Sequence, residues 1–128
     1  MKQAVGFTAR ILAALGLSLG VVAGAMAQAY PSKPVQMVVP FTAGGPTDTV
    51  GRSLAQAMSK HLGQQIVIEN VGGAGGTVGA ARVKNAQPDG YSLLLHHIGM
   101  STAPSLYRKL AFNPQTDFEA IGLVVDVP

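Results

Sequence analysis

The chain contains no cysteine, which excludes a disulfide framework and a thiolate metal site together. An oxidising compartment would do it no harm. Charge is sparse, at 12%, and the basic residues Lys33, Arg52, Lys60, Arg82, Lys84, Arg108 and Lys109 are scattered. They form no dense, aromatic-flanked stripe, so nucleic acid is not an expected partner. Long apolar runs are also missing, with one exception at residues 11–25.

That exception reads as a targeting segment. Lys2 and Arg10 lead into the run, which is rich in Gly and Ala and ends at Ala25-Met26-Ala27. About fifteen apolar residues are short for a membrane span, whereas small side chains one and three residues before a cut are what a signal peptidase needs. Residues 1–27 are therefore expected to be a cleaved signal peptide, with Ala27-Gln28-Ala29 allowing a cut after Ala29 instead. Cleavage after Ala27 removes 27 of 128 residues and leaves 101, enough for one small domain and too few for two lobes. It also removes two of the nine basic residues, leaving seven against six acids. The formal charge of +3 is thus largely a targeting effect.

The remainder follows a repeated grammar. Pro34-Val35-Gln36-Met37-Val38-Val39-Pro40 is a short β-branched run bounded by prolines, as in a buried strand. The glycine turn Phe41-Thr42-Ala43-Gly44-Gly45-Pro46 follows, and Thr47 or Asp48 is placed to cap a helix. Val50, Leu54, Ala55, Met58 and Leu62 recur at helical spacing until Gly63 stops the helix. Ile66-Val67-Ile68-Glu69-Asn70 begins a second cycle, with the loop Gly72-Gly73-Ala74-Gly75-Gly76 and a short helix from about Thr77. Pro88-Asp89-Gly90 turns the chain into a third strand over residues 91–96. A loop at 97–102, an irregular segment at 104–118 and a strand-like stretch at 120–127 complete it. Strands alternating with helices predict an α/β fold, a parallel sheet with helices on both faces joined by right-handed crossovers.

In an open parallel sheet, ligands bind outside the carboxyl ends of the strands. Three loops leave such ends, and the first two precede helix N-termini whose free N–H groups and positive dipole favour an anion. The candidate ligand-binding residues are Phe41, Thr42, Ala43, Gly44, Gly45, Thr47 and Asp48 in the first loop, and Gly73, Ala74, Gly75 and Gly76 in the second. His97, Ile98, Gly99, Met100 and Ser101 complete the set in the third. Glycine permits close approach of backbone to bound oxygens, although a turn alone would also explain it.

Nucleotide and catalytic motifs fail on spacing. Gly73 and Gly75 would need a third glycine where Val78 stands, and neither loop ends in Gly-Lys-Ser/Thr. Gly99-Met100-Ser101-Thr102-Ala103 lacks the final glycine of a nucleophile elbow, which leaves Ser101 as a hydrogen-bond donor or a plain loop residue. His96 and His97 have no acid or cysteine spaced for a metal cage, and adjacent strand residues point to opposite faces. Neither a cofactor nor a metal is expected.

The ordered motifs resemble one family. Tyr30-Pro31-Ser32-Lys33-Pro34-Val35, Val39-Pro40-Phe41-Thr42-Ala43-Gly44-Gly45-Pro46-Thr47-Asp48, Gly63-Gln64-Gln65-Ile66-Val67-Ile68-Glu69-Asn70, Gly73-Ala74-Gly75-Gly76-Thr77-Val78-Gly79, Pro88-Asp89-Gly90-Tyr91 and Asn113-Pro114-Gln115-Thr116-Asp117-Phe118 are similar to the Bug-type receptors. These are the substrate-binding proteins of tripartite tricarboxylate transporters. The resemblance implies a two-lobed Venus-flytrap receptor, periplasmic and non-enzymatic, that binds a small carboxylate solute and passes it to the transporter's membrane components. It implies a carboxylate held by backbone amides and ordered water at Phe41 to Asp48. The third-strand loop would line the same cleft, making His97 and Met100 candidates for specificity. Pro46 departs mildly from the pattern, since it removes one loop N–H. Length departs more: such receptors continue past Asp126-Val127-Pro128 into a second lobe, so residues 28–128 are expected to be an incomplete first lobe. An exported fragment unable to close on ligand is one alternative. A small α/β enzyme acting on an anionic substrate is another, and it lacks a nucleophile and base pair.

Export should cleave the chain near Ala27 and release a product with no stable membrane insertion. Intact-mass measurement of periplasmic material checks this; recovery only from membranes, with the apolar run attached, would sink it.

Overall fold

The computed structural model describes residues 29–125. The expected signal peptide and the last three residues lie outside that range. Strand β1 (Val35–Val39) is central, flanked by β2 (Ile66–Asn70) and β3 (Ser92–Leu94), and both pairings are parallel. Val35 lies opposite Ile66, and Met37 lies opposite both Ile68 and Leu93. That register puts one apolar set on one face, where it packs on Leu54, Ala55, Met58 and Leu62. These belong to helix α1 (Pro46–Leu62). Each fully buried aliphatic side chain there contributes roughly 1.5–3 kcal/mol.

Helix α1 begins with Pro46 at its first position, where the missing N–H costs nothing. It ends at Gly63, whose φ of 66° is the left-handed conformation that lets its N–H reach the Ser59 carbonyl. Helix α2 (Thr77–Lys84) covers the opposite face. There Arg82 pairs with Glu69 at 2.8 Å, and Glu69 also accepts from the Gln36 amide. Helices therefore lie on both faces of a parallel sheet. Among the described residues, no helix is long and apolar enough to cross a membrane.

Three expectations are corrected. The third strand spans three residues rather than six, although Gln36 N–H to Tyr91 O and Leu95 N–H to Val38 O extend its ladder by one bond at each end. The loop expected at 97–102 is largely helix α3 (Gly99–Leu106), which also takes in Pro104 from the segment read as irregular. The stretch expected as a fourth strand forms none over residues 120–125, and residues 126–127 lie outside the described range. Ile121 and Leu123 are 83% and 81% exposed. β-branched residues make a strand only where a neighbouring ladder and packed face receive them, and no strand pairs with the outer side of β3 among the described residues.

Gly79 fixes how closely α2 approaches the sheet. A Cβ there would lie 2.7 Å from both Pro40 Cβ and the Val71 carbonyl oxygen. Helix propensity alone favours alanine over glycine by about 1 kcal/mol, but one obstacle is backbone and the other a proline ring, so the helix must move. Overpacking of this kind costs about 1–3 kcal/mol. Gly79→Ala is expected to destabilise the fold in urea melts; a stabilised variant would show that α2 shifts freely.

Candidate functional site

All three loops converge on Phe41. Its ring stacks on His97 at 4.3 Å between centroids and meets His96 edge-on at 5.4 Å. A Cβ on Gly76 would lie 2.7 Å from His96 Nε2 and 3.2 Å from Phe41 Cζ, so glycine, at a φ of 93°, is what allows the second loop to close on the first. The two histidines sit together, with centroids 5.2 Å apart. Opposite directions were expected from strand alternation, but β3 ends at Leu94, before either residue.

The first loop is shaped by Asp48, which is 1% exposed. It is the third residue of α1, not its cap: the cap position is Gly45, with no side-chain hydrogen bond. Asp48 Oδ2 accepts from Gly44 N–H at 2.8 Å and from Arg52 Nε at 2.8 Å, and its Oδ1 accepts from Asn70 Nδ2 at 2.9 Å. Asn70 Nδ2 also donates to the Phe41 carbonyl at 3.1 Å. The Arg52 hydrogen bond first, then those from Gly44 and Asn70, lower the Asp48 pKa from 3.8 to about 2 against the opposing effect of burial. Asp48 in turn raises the pKa of Arg52.

Those bonds leave the loop's other donors available. The amides of Thr42, Ala43, Thr47 and Asp48 donate to no protein group among the described residues. The second loop is similar, with Ala74 and Gly75 amides unengaged and successive positive φ values at Gly73, Ala74, Gly75 and Gly76. Gly76 and Thr77 differ, since their N–H groups are taken by the Gly73 and Ala74 carbonyls.

The third segment differs. Gly99 N–H donates to His97 Nδ1, Met100 N–H to His97 O, and both Ser101 and Thr102 N–H to Ile98 O. Apart from the Ile98 N–H, its backbone donors are engaged, so its side chains and that one amide are what can meet a ligand. Ile98 is 79% exposed, and Met100 and Ser101 line a depression with Pro104, Tyr107 and Phe112. Sequence reasoning missed Asn70, Arg52 and Tyr107, whose hydroxyl would lie 2.7 Å from a Cβ on Gly75.

A parallel sheet with helices on both faces and two amide-bearing loops at its carboxyl edge is a lobe of the periplasmic-binding-protein type. The chain belongs to the tripartite tricarboxylate transporter receptor family, whose model matches residues 50–128. It is 59% identical over 99 residues to the UPF0065 protein in the TAR-I ttuE-ttuC' intergenic region of Agrobacterium vitis, covering 77% of this chain and 29% of that one. It is similar to the solved periplasmic binding protein BugD at 62% identity and a TM-score of 0.69, covering 70% of this chain and 30% of that one. MatC from Rhodopseudomonas palustris, solved with bound malate, is 50% identical with a TM-score of 0.67, covering 70% and 31%. The chain thus spans about 30% of the length of these relatives. The family is one of receptors rather than enzymes.

Asp48→Asn is expected to lower the melting temperature less than Asp48→Ala. Asparagine retains one oxygen for Gly44 and Arg52, whereas alanine leaves three donors without an acceptor. Because the folded pKa lies below the unfolded one, the wild-type contribution is present above about pH 4 and lost as pH falls through about 2. Asp48→Asn should flatten that acid limb. Unchanged melts for both variants would remove Asp48 from its anchoring role.

Proposed function

We propose that this chain forms first-lobe structure of a periplasmic receptor that captures a small carboxylate-bearing solute for the membrane components of a tripartite tricarboxylate transporter. The observation that carries this reading is the set of unengaged amides at Thr42, Ala43, Thr47 and Asp48, on a loop whose only acid is already paired. An anion would otherwise be repelled by Asp48. With Arg52 and three hydrogen bonds on that carboxylate, the positive end of α1 dominates instead. The malate bound to MatC is a small carboxylate of the kind proposed. Entry to the periplasm would follow from cleavage of residues 1–27.

The enzyme alternative finds little support in the third segment. Ser101 Oγ donates to the Ile98 carbonyl at 2.9 Å, His97 Nδ1 accepts the Gly99 N–H, and His96 Nδ1 lies against the His97 backbone, 2.9 Å from its N and 3.0 Å from its O. No imidazole is left poised on a hydroxyl by those bonds.

A solute held by one lobe stays open to water, where each hydrogen bond is worth only about 0.5–1.5 kcal/mol net. Titrating the ¹⁵N-labelled chain with malate should therefore give a millimolar Kd, about −4 kcal/mol, with the largest amide shifts at Thr42, Ala43, Thr47 and Asp48. The uncharged diamide of malate should leave them in place. Equal shifts with the diamide, or none with malate, would overturn the proposal.

A further inference from the structure

Strand β2 is an edge of the sheet, with β1 on one side and no strand on the other among the described residues. In a parallel pair, alternate residues turn their backbone groups to the neighbour. Val35 N–H donates to Gln65 O and Val71 N–H to Val39 O, so Gln65, Val67, Glu69 and Val71 face β1. Ile66, Ile68 and Asn70 then turn their N–H and C=O groups to the open side. One of these donors is capped, because Ile66 N–H reaches Ser59 Oγ at 2.9 Å while that hydroxyl donates to the Ala55 carbonyl at 2.7 Å. The amides of Ile68 and Asn70 find no acceptor among the described residues.

Beside this edge runs an open groove between β2 and α1, walled on the helix side by Arg52, Gln56 and Lys60 and reaching Gln65 and Ile68 on the strand. No acid lines it. Arg52 is already paired with Asp48, but Lys60, in the last turn of α1, is exposed and makes no ion pair among the described residues. The one acid of β2, Glu69, is held by Arg82 of α2 on the opposite face.

An unpaired edge is a template for another extended chain, and the charges beside this one decide which chain it suits. Two copies paired antiparallel through β2 would bring α1 beside α1 and set cations against cations. Residues 1–28 carry Lys2 and Arg10 and no acid, so that segment is matched no better. A strand bearing acids is matched twice, its backbone to Ile68 and Asn70 and its side chains to Lys60 and Arg52. We infer that the open edge of β2 is a docking surface for an extended, acid-bearing segment of a partner protein, which adds as a further strand and lays its acids along α1. This does not rest on the first loop binding a carboxylate.

The test is titration of the ¹⁵N-labelled full chain with a short blocked peptide alternating threonine and glutamate. The Ile68 and Asn70 amides should shift and also exchange with solvent more slowly, which attraction between charges alone would not produce. The same peptide with lysine in place of glutamate should bind about fivefold more weakly, the worth of an exposed ion pair. Lys60→Glu, a change at an exposed position, should remove that preference. Unprotected Ile68 and Asn70 amides, equal binding of the two peptides, or a preference unchanged in Lys60→Glu would overturn the inference. So would protection that rises with protein concentration in the absence of peptide, which would make a second copy the occupant. Shifts confined to Thr42 and Ala43 would overturn it too, marking the glutamates as mimics of a solute and leaving the first-loop reading intact.

Discussion

The fold's upper edge depends on one buried carboxylate. A buried acid is tolerated only when fully partnered, and Asp48 has its partners in three separate parts of the chain: Gly44 in the loop, Arg52 one turn along α1, and Asn70 at the end of β2. Through Asn70, which also donates to the Phe41 carbonyl, the ends of β1 and β2 are tied to the first turn of α1. The loop between β1 and α1 is thereby shaped from within. Of the N–H groups left without acceptors, those of Thr42 and Ala43 lie on exposed residues, Thr47's on a half-buried one and Asp48's on a buried one.

This internal pairing also sets the sign of the local field. An acid at a helix N-terminus normally offsets the dipole, which would weaken an anion site. Here Arg52 offsets the acid, and its half-exposed guanidinium is held 2.8 Å from Asp48 Oδ2. The amides at the loop surface keep their partial positive charge. The same economy appears at Gly76, where the absence of a side chain permits His96 and Phe41 to close against the second loop.

Much of this architecture was legible in sequence, and the gaps have physical reasons. The first two strand-loop-helix cycles are local: proline and glycine punctuate them, and apolar spacing distinguishes strand from helix. The Asp48 to Arg52 pair is also a local i,i+4 signal, but Asn70 joins it only because parallel register sets Val39 beside Asn70, a long-range fact that spacing does not carry. The third segment was misread because Gly99 and Pro104 read as loop residues, although Gly99 N–H finds an acceptor in the preceding His97 ring. Residues 120–125 have the composition of a strand without a ladder to join. The direction of His96 and His97 depended on a strand end misplaced by two residues.

The division between backbone and side chain explains how generic affinity and selectivity can occupy one site. Loop amides present the same N–H geometry to any carboxylate, so a site made only of Thr42, Ala43, Thr47 and Asp48 N–H groups would hold acids without distinguishing them. Discrimination must come from groups whose identity can change without disturbing the anchor. The third segment meets that condition, because all its backbone donors but Ile98 N–H are satisfied within it and no hydrogen bond links it to the Asp48 network among the described residues. Under the proposed function, a substitution at His97 would alter a side chain beside the first loop while leaving Gly44, Arg52 and Asn70 in place. If the proposed function holds, affinity for an acid group and choice among acids would be separable in this lobe, linked through Phe41, whose carbonyl accepts from Asn70 and whose ring stacks on His97.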